Sequence, residues 1–302
     1  MERQRINVHK FGGAALATAE LIKMLIDRIV HNFETNLNLF VFSAIKGDTR
    51  SLLALFEAIE KIDQASINGR LHDFELTHSR IIEELSPKNK KMRMCLESFM
   101  EEIRQLILSQ DKYYSEEMQA ALLQFGELFS SKIISLYLES LKIENVWIDA
   151  REYIKTKGSI IAAKIAPVSE EIIAKGLPKI FRKSNIVITQ GFIGSSYSNG
   201  KNSILPFDGS DTSAAFFAHS IMANKMIFYK DVCGVSSKKN PHVDDTSNFY
   251  HQMTYQEYLN KFTRRIKYPV HPDAIKLLKI RKIPTRICSF KYPSSYGTSI
   301  IM

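Results

Sequence analysis

Residues 6–13 read Ile-Asn-Val-His-Lys-Phe-Gly-Gly, and residues 37–43 read Leu-Asn-Leu-Phe-Val-Phe-Ser. Each is a short apolar run closed by turn-forming or polar residues, the pattern of a buried strand, so strands are expected over 6–10 and 37–43. Apolar residues at helical spacing follow each run, over about 17–31 and 49–64. A strand, helix, strand, helix opening predicts an α/β chain with a doubly wound, mostly parallel central sheet and helices on both faces.

Outward from that opening, residues 70–142 carry apolar side chains at three-to-four spacing, broken at Ser86-Pro87 and again near 111–115. Strand signals resume at 145–148, 186–192, 226–229, 285–288 and 299–302, with helices between them at about 170–180, 211–223, 254–262 and 272–282. Thr254 and Glu257 have the spacing of a capping box. No repeat or long linker divides the 302 residues, a length that suits one large domain or two joined lobes split near residue 190.

Composition excludes several classes. No run of 18 apolar residues is present and the N-terminus has no apolar signal segment, so the cytoplasm is the expected compartment. Cys95, Cys233 and Cys288 form neither a disulfide framework nor a C-x-x-C pair, and the eight histidines lack metal-ligand spacing, so no protein-held metal is expected. The net charge of +9 lies wholly in residues 225–302, which hold 14 Lys and Arg against 5 Asp and Glu. A basic lobe attracts phosphate-rich ligands. No RNA- or DNA-recognition motif accompanies it, so a nucleotide is expected rather than a nucleic acid.

Two turns carry candidate chemistry. Gly12 and Gly13 follow the first strand and precede a helix, where bare backbone and a helix N-terminus suit a phosphate. Lys10 at the strand tip adds a point charge for a transferring phosphoryl group. Gly209, Ser210 and Asp211 open another helix after the glycine-bearing strand end at 190–194. Either turn alone also fits a tight turn or a helix cap. Two on one sheet favour phosphate binding.

Taken in order, these segments resemble the aspartokinases of the amino acid kinase superfamily. The resemblance rests on Lys10-Phe-Gly-Gly13, Ser43-Ala44, Phe125-Gly-Glu127, Ile188-Thr-Gln-Gly-Phe-Ile-Gly194, Gly209-Ser-Asp211, Lys230-Asp-Val-Cys-Gly234, His271-Pro272 and Gly297-Thr298, over essentially the whole chain. It implies a single catalytic domain over 1–302, with an acceptor lobe at 1–190 and a nucleotide lobe at 191–302. The implied reaction joins ATP and L-aspartate to give ADP and aspartyl 4-phosphate, at the entry to lysine, threonine and methionine biosynthesis, with Mg2+ carried by the nucleotide. Lys10 would neutralise the moving phosphoryl group, Gly12 and Gly13 would cradle it, and Asp211 would organise the catalytic lysines. Gly209, Ser210, Asp231 and Lys267 would meet the nucleotide. Ser43, Thr49, Glu127 and the position of Phe207 would face the amino acid, with Glu127 on its ammonium.

The chain departs from that family at both ligand sides. Where the family has Gly-Arg-Gly before Gly-Ser-Asp, with the arginine on the acceptor's α-carboxylate, this sequence has Pro206-Phe207-Asp208. Losing a charge-assisted, two-pronged contact costs roughly 2–4 kcal/mol, or about 30- to 1000-fold in affinity. Lys201, Arg264 and Arg265 are candidate replacements. Lys230 stands at a usual threonine, Ser236 at a usual tyrosine, and Asn240-Pro-His242 at a usual Asp-Pro-Arg, where Lys238, Lys239 and His242 are possible substitutes for the arginine. One residue is inserted between Lys267 and His271-Pro272. The ACT regulatory domains of feedback-controlled members are not expected after Met302, and a homodimer is left open. Three readings follow: an aspartate kinase, the same chemistry on another small acid, and an inactive nucleotide-binding relative.

Overall fold

The computed structural model describes residues 5–32, 36–109, 115–236, 248–262, 268–292 and 297–302. The chain opens with β1 (Ile6–Phe11), a 3-10 turn at Gly13–Leu16, α1 (Ala19–Asn32), β2 (Leu37–Phe42) and α2 (Asp48–Glu60). Three long helices follow: α3 (Gln64–Leu85), α4 (Lys90–Leu108) and α5 (Glu116–Ser140). Next come β3 (Val146–Trp147), α6 (Ala150–Tyr153), β4 (Lys155–Lys157), β5 (Lys164–Ile165), α7 (Val168–Ile180), β6 (Ile186–Gln190), β7 (Ile193–Ser196) and β8 (Asn202–Ile204). The remainder is α8 (Gly209–Ser220), β9 (Lys225–Lys230), β10 (Gln252–Thr254), α9 (Tyr255–Lys261), α10 (Pro272–Ile280), β11 (Thr285–Ser289) and β12 (Gly297–Ile301).

The main sheet has eight strands in the order β10-β12-β11-β9-β1-β2-β6-β3. Its pairings are parallel except for β11 with β12. Every residue of β2 is buried, and since successive side chains point to opposite faces, both faces of that strand are covered. Helices α5 and α8 both lie on it. Each fully buried Leu or Phe of this layer, such as Leu39, Phe40 and Phe42, contributes about 1.5–3 kcal/mol of burial energy. Helices α3 and α4 end at the two breaks in the sequence pattern, and the N-termini of all three long helices are held by Asp63, Asn89 and Ser115, whose side chains accept from the backbone N–H of Ser66, Met92 and Met118. The capping box of Thr254 and Glu257 is formed.

The architecture departs from the expectation of a single shared sheet in one respect. A second sheet of four short strands, in the order β5-β4-β7-β8, stands beside the main one. Its strands are two to four residues long, too short for an alternating pattern to register. Cys95 is partly buried, and Cys233 and Cys288 are buried. Among the described residues no helix is long and apolar enough to cross a membrane.

The chain passes from β1 to β2 on one side, while β9 lies on the other side of β1. This is a topological switch point, where the ends of parallel strands leave a crevice. Lys10 sits near the end of β1, in register with Phe228, and Lys230 ends the neighbouring β9.

Candidate active site

The crevice is a cavity of ≈ 360 Å3. Its floor is the end of β1, where Lys10 is followed by Gly12 and Gly13 and the chain turns at once into the 3-10 segment, with Ala15 N–H donating to Gly12 O at 3.0 Å. Gly13 is required here by space. A Cβ on it would lie 2.6 Å from Ala44 O and 3.2 Å from Lys46 N, so this turn and the loop after β2 are in direct backbone contact. Gly13→Ala is therefore expected to lower stability by about 1–3 kcal/mol, read as a fall in Tm by circular dichroism.

At the centre, Asp211 from the first turn of α8 meets two lysines from two adjacent strands. Lys10 Nζ stands 3.1 Å from Asp211 Oδ1, and Lys230 Nζ donates to Oδ1 at 2.9 Å and Oδ2 at 2.7 Å. The backbone N–H of His271, the N-cap of α10, adds a longer contact to Oδ2 at 3.4 Å. Lys10 and Asp211 are both 4% exposed. Burial alone would push the Asp211 carboxyl upward, but the charges and hydrogen bonds of Lys10 and Lys230 outweigh it and hold the group at about 2. Lys10 is lowered from its usual value, because burial and the repulsion of Lys230 exceed the help from Asp211. One carboxylate thus carries two cations whose second faces are turned to the cavity, an arrangement matched to a ligand with several negative oxygens.

At another wall, Glu127 on α5 is 3% exposed, and its Oε2 has no hydrogen-bond partner. Burial drives its carboxyl up to about 8, with the Asp48 charge adding to the rise and the Ala44 N–H and Lys10 opposing it. Asp48 itself is engaged by His78 Nε2 at 3.0 Å. The segment is fixed by Ser130, whose hydroxyl donates to Ser43 O at 2.8 Å. An orphaned buried carboxylate oxygen on a cavity wall is a place for a cation, and a ligand ammonium fits it.

Most of the residues named from sequence come together. Lys10, Gly12, Gly13, Ser210, Asp211 and Asp231 line this cavity, as do Ser43, Thr49, Glu127 and Phe207. Gly209 opens α8 and is buried, but does not line the cavity. Lys267 lies outside the described residues, as do Arg264, Arg265, Lys238, Lys239 and His242. Lys201 is corrected: it is not on the cavity wall and is paired with Glu117 at 2.5 Å. Phe207 presents a ring that is 66% exposed, next to Asp208, which adopts a left-handed φ of 67°. Sequence reasoning assigned no role to Lys230, Lys46 or Arg50, all of which line the cavity. Lys230 falls just past the strand expected over 226–229, and it reaches Lys10 because β9 pairs with β1. Among the described residues no group of three or more His, Cys, Asp or Glu is placed to hold a metal ion.

Residues 5–289 match the model of the Amino acid kinase family. The chain is 27% identical over 297 residues to lysine-sensitive aspartokinase 3 of Escherichia coli, covering 98% of this chain and 64% of that protein. It is 27% identical over 293 residues to an aspartokinase of Chlamydia trachomatis, covering 97% and 64% respectively. Among solved structures, E. coli aspartokinase III in complex with aspartate and ADP superposes with a TM-score of 0.86 at 26% identity, over 98% of this chain and 64% of that one. The chain therefore spans about 64% of the length of these relatives.

Proposed function

The chain belongs to the amino acid kinase family, and from that premise we propose that it transfers the γ-phosphoryl group of ATP to the side-chain carboxylate of L-aspartate. The products would be ADP and aspartyl 4-phosphate. The observation that carries the reading is the pair Lys10 and Lys230 on Asp211, in one cavity with the unpartnered Glu127 oxygen. The complex of E. coli aspartokinase III with aspartate and ADP supports both ligand classes.

Phosphoryl transfer asks little covalent chemistry of a protein; it asks for alignment and for charge neutralisation at the moving group. Lys10 and Lys230 supply two positive charges, held in place by Asp211 before the ligand arrives, so little reorganisation accompanies the transfer. The acceptor carboxylate attacks phosphorus, the bond to the bridging oxygen of ADP breaks, and the negative charge leaves on ADP. No proton need be removed from an ionised carboxylate, which agrees with a site built from cations rather than around a general base. Glu127 would hold the ammonium of the acceptor and Ser43 and Thr49 its polar edge. Asp231 would meet the nucleoside. Mg2+ bound to the nucleotide would offset charge on the β- and γ-phosphates. On this reading residues 1–190 form the acceptor lobe and 191–302 the nucleotide lobe. The chain would act in the cytoplasm, at the entry to lysine, threonine and methionine biosynthesis.

Lys230→Met is expected to lower kcat by about 10²- to 10³-fold, with the KM for the acid little changed, as follows for a charge used mainly in the transition state. Steady-state kinetics of ADP release measures this. A second reading, the same chemistry on a different small acid, is favoured by Phe207, whose exposed ring lines the cavity where the resemblance implies a guanidinium. Hydroxylamine trapping of acyl phosphates across a panel of amino acids and dicarboxylic acids decides between them. Aspartyl hydroxamate as the dominant product supports the first; another hydroxamate supports the second; none from any acid overturns both.

A further inference from the structure

Among the described residues four basic side chains line the cavity: Lys10, Lys46, Arg50 and Lys230. Lys10 and Lys230 are committed to Asp211. Lys46 and Arg50 are exposed and make no hydrogen bond or ion pair with any described residue. They flank the N-terminus of α2, where Gly47 is the N-cap; the Asp48 N–H between them donates to Ile45 O at 3.0 Å and the Asp48 carboxylate is turned to His78 at 3.0 Å.

That end of α2 lies against Glu127. A Cβ on Gly126 would fall 2.8 Å from Ala44 Cβ and 3.3 Å from Asp48 Cβ, so the turn of α5 bearing Glu127 is packed directly on the loop that leads into α2. Glu127 is buried with an oxygen unpartnered, while Lys46 and Arg50 have nothing negative assigned to them. Among the described residues, no cation is bonded to Glu127 Oε2 and no anion to the side chains of Lys46 or Arg50. The wall formed by Phe207 and Asp208 offers an anion only a ring and a second negative charge.

We propose that the cavity takes an α-amino dicarboxylate whose ammonium pairs with Glu127 and whose non-reacting carboxylate is held by Lys46 and Arg50, the role having moved from position 207 to the start of α2. The assignment rests on the proposed function, which places the reacting carboxylate at Lys10. A zwitterionic head group satisfies both vacancies at once, whereas an amine or a simple acid leaves one buried or clustered charge without a partner. Lys46 and Arg50 are then specificity-determining residues.

The test compares wild type with R50A and the double variant K46A/R50A, and uses K201A as a control for removal of a cation outside the cavity. Binding of L-aspartate and of its α-amide, L-isoasparagine, is measured by calorimetry in the presence of a non-hydrolysable ATP analogue. Hydroxylamine trapping of turnover is run in parallel. Wild type and K201A are expected to favour aspartate over the α-amide by about 30-fold or more, the worth of a charged hydrogen-bonded contact. R50A should narrow the ratio and the double variant should bring it near unity, with Tm preserved because both side chains are exposed and unpaired. Unchanged discrimination in the double variant, with turnover intact, overturns this assignment and leaves the proposed reaction standing. Discrimination that depends on Lys46 and Arg50 in a protein that forms no hydroxamate upholds the assignment and removes the reaction. A loss confined to the affinity for the ATP analogue, or a wild type that binds neither acceptor, overturns it.

Discussion

Lys10→Ala is expected to reduce ATP-dependent acyl phosphate formation by about 10³-fold or more while leaving the protein folded. The rate effect follows from removing a charge aimed at the moving phosphoryl group inside a buried site, where no water can take over its role without reorganisation. The folded state survives because Asp211 is not orphaned: both of its oxygens remain bonded to Lys230, at 2.9 and 2.7 Å. Breaking a buried pair costs several kcal/mol when a charge is stranded, and here none is. The loss should appear in kcat rather than in the KM for the acid. Coupled ADP release gives the rate, and circular dichroism on heating gives the stability. Equal rates in wild type and variant would remove Lys10 from the mechanism.

Glu127→Gln is expected to weaken acceptor binding on the order of 10²-fold, the cost of removing one partner from a buried charge pair, and to change how stability depends on pH. Burial holds the Glu127 carboxyl at about 8 in the folded chain, against a usual value of 4.5. Its folded value is raised, so the stability contributed by the protonated form is fully present below 4.5 and is lost as pH rises to about 8. Wild type should therefore lose stability across that window, and the glutamine variant should lack this component of the slope; Tm against pH in the two proteins measures it. The same group couples binding to protons. An acceptor ammonium favours the carboxylate, so below pH 8 the acid should bind with release of a proton from Glu127. Calorimetry in buffers of different ionisation heat reads that release directly.

Much of this was legible in the sequence. Strands β1, β2, β6 and β9 stood out because a strand buried on both faces is an uninterrupted apolar run bounded by turn residues, and the breaks between α3, α4 and α5 coincide with Ser86-Pro87 and the segment ending at Ser115. The sheet of β4, β5, β7 and β8 was not legible. Segments such as Lys155-Thr156-Lys157 carry no pattern of their own and become strands only because a neighbour supplies the ladder.

The site divides in the same way. Gly12, Gly13 and Asp211 announce themselves through glycine turns that open helical segments. Lys230 reads in sequence only as a lysine at an unexpected position. Its partnership with Lys10 exists because β9 lies beside β1, joining strand ends 220 positions apart. Lys201 shows the opposite failure: a cation in a suitable loop, diverted to Glu117 by packing that no local signal reveals.

The central claim is that a carboxylate oxygen of the acceptor attacks the phosphorus presented to Lys10 and Lys230. The direct measurement is turnover of L-aspartate labelled with oxygen-18 in its side-chain carboxylate, with hydroxylamine cleaving the product and phosphorus NMR reading the released phosphate. The bridging oxygen stays with phosphorus when hydroxylamine attacks carbon, so one labelled oxygen per phosphate is the expected result. Phosphate that carries no label would mean that water receives the phosphoryl group, and would contradict the account.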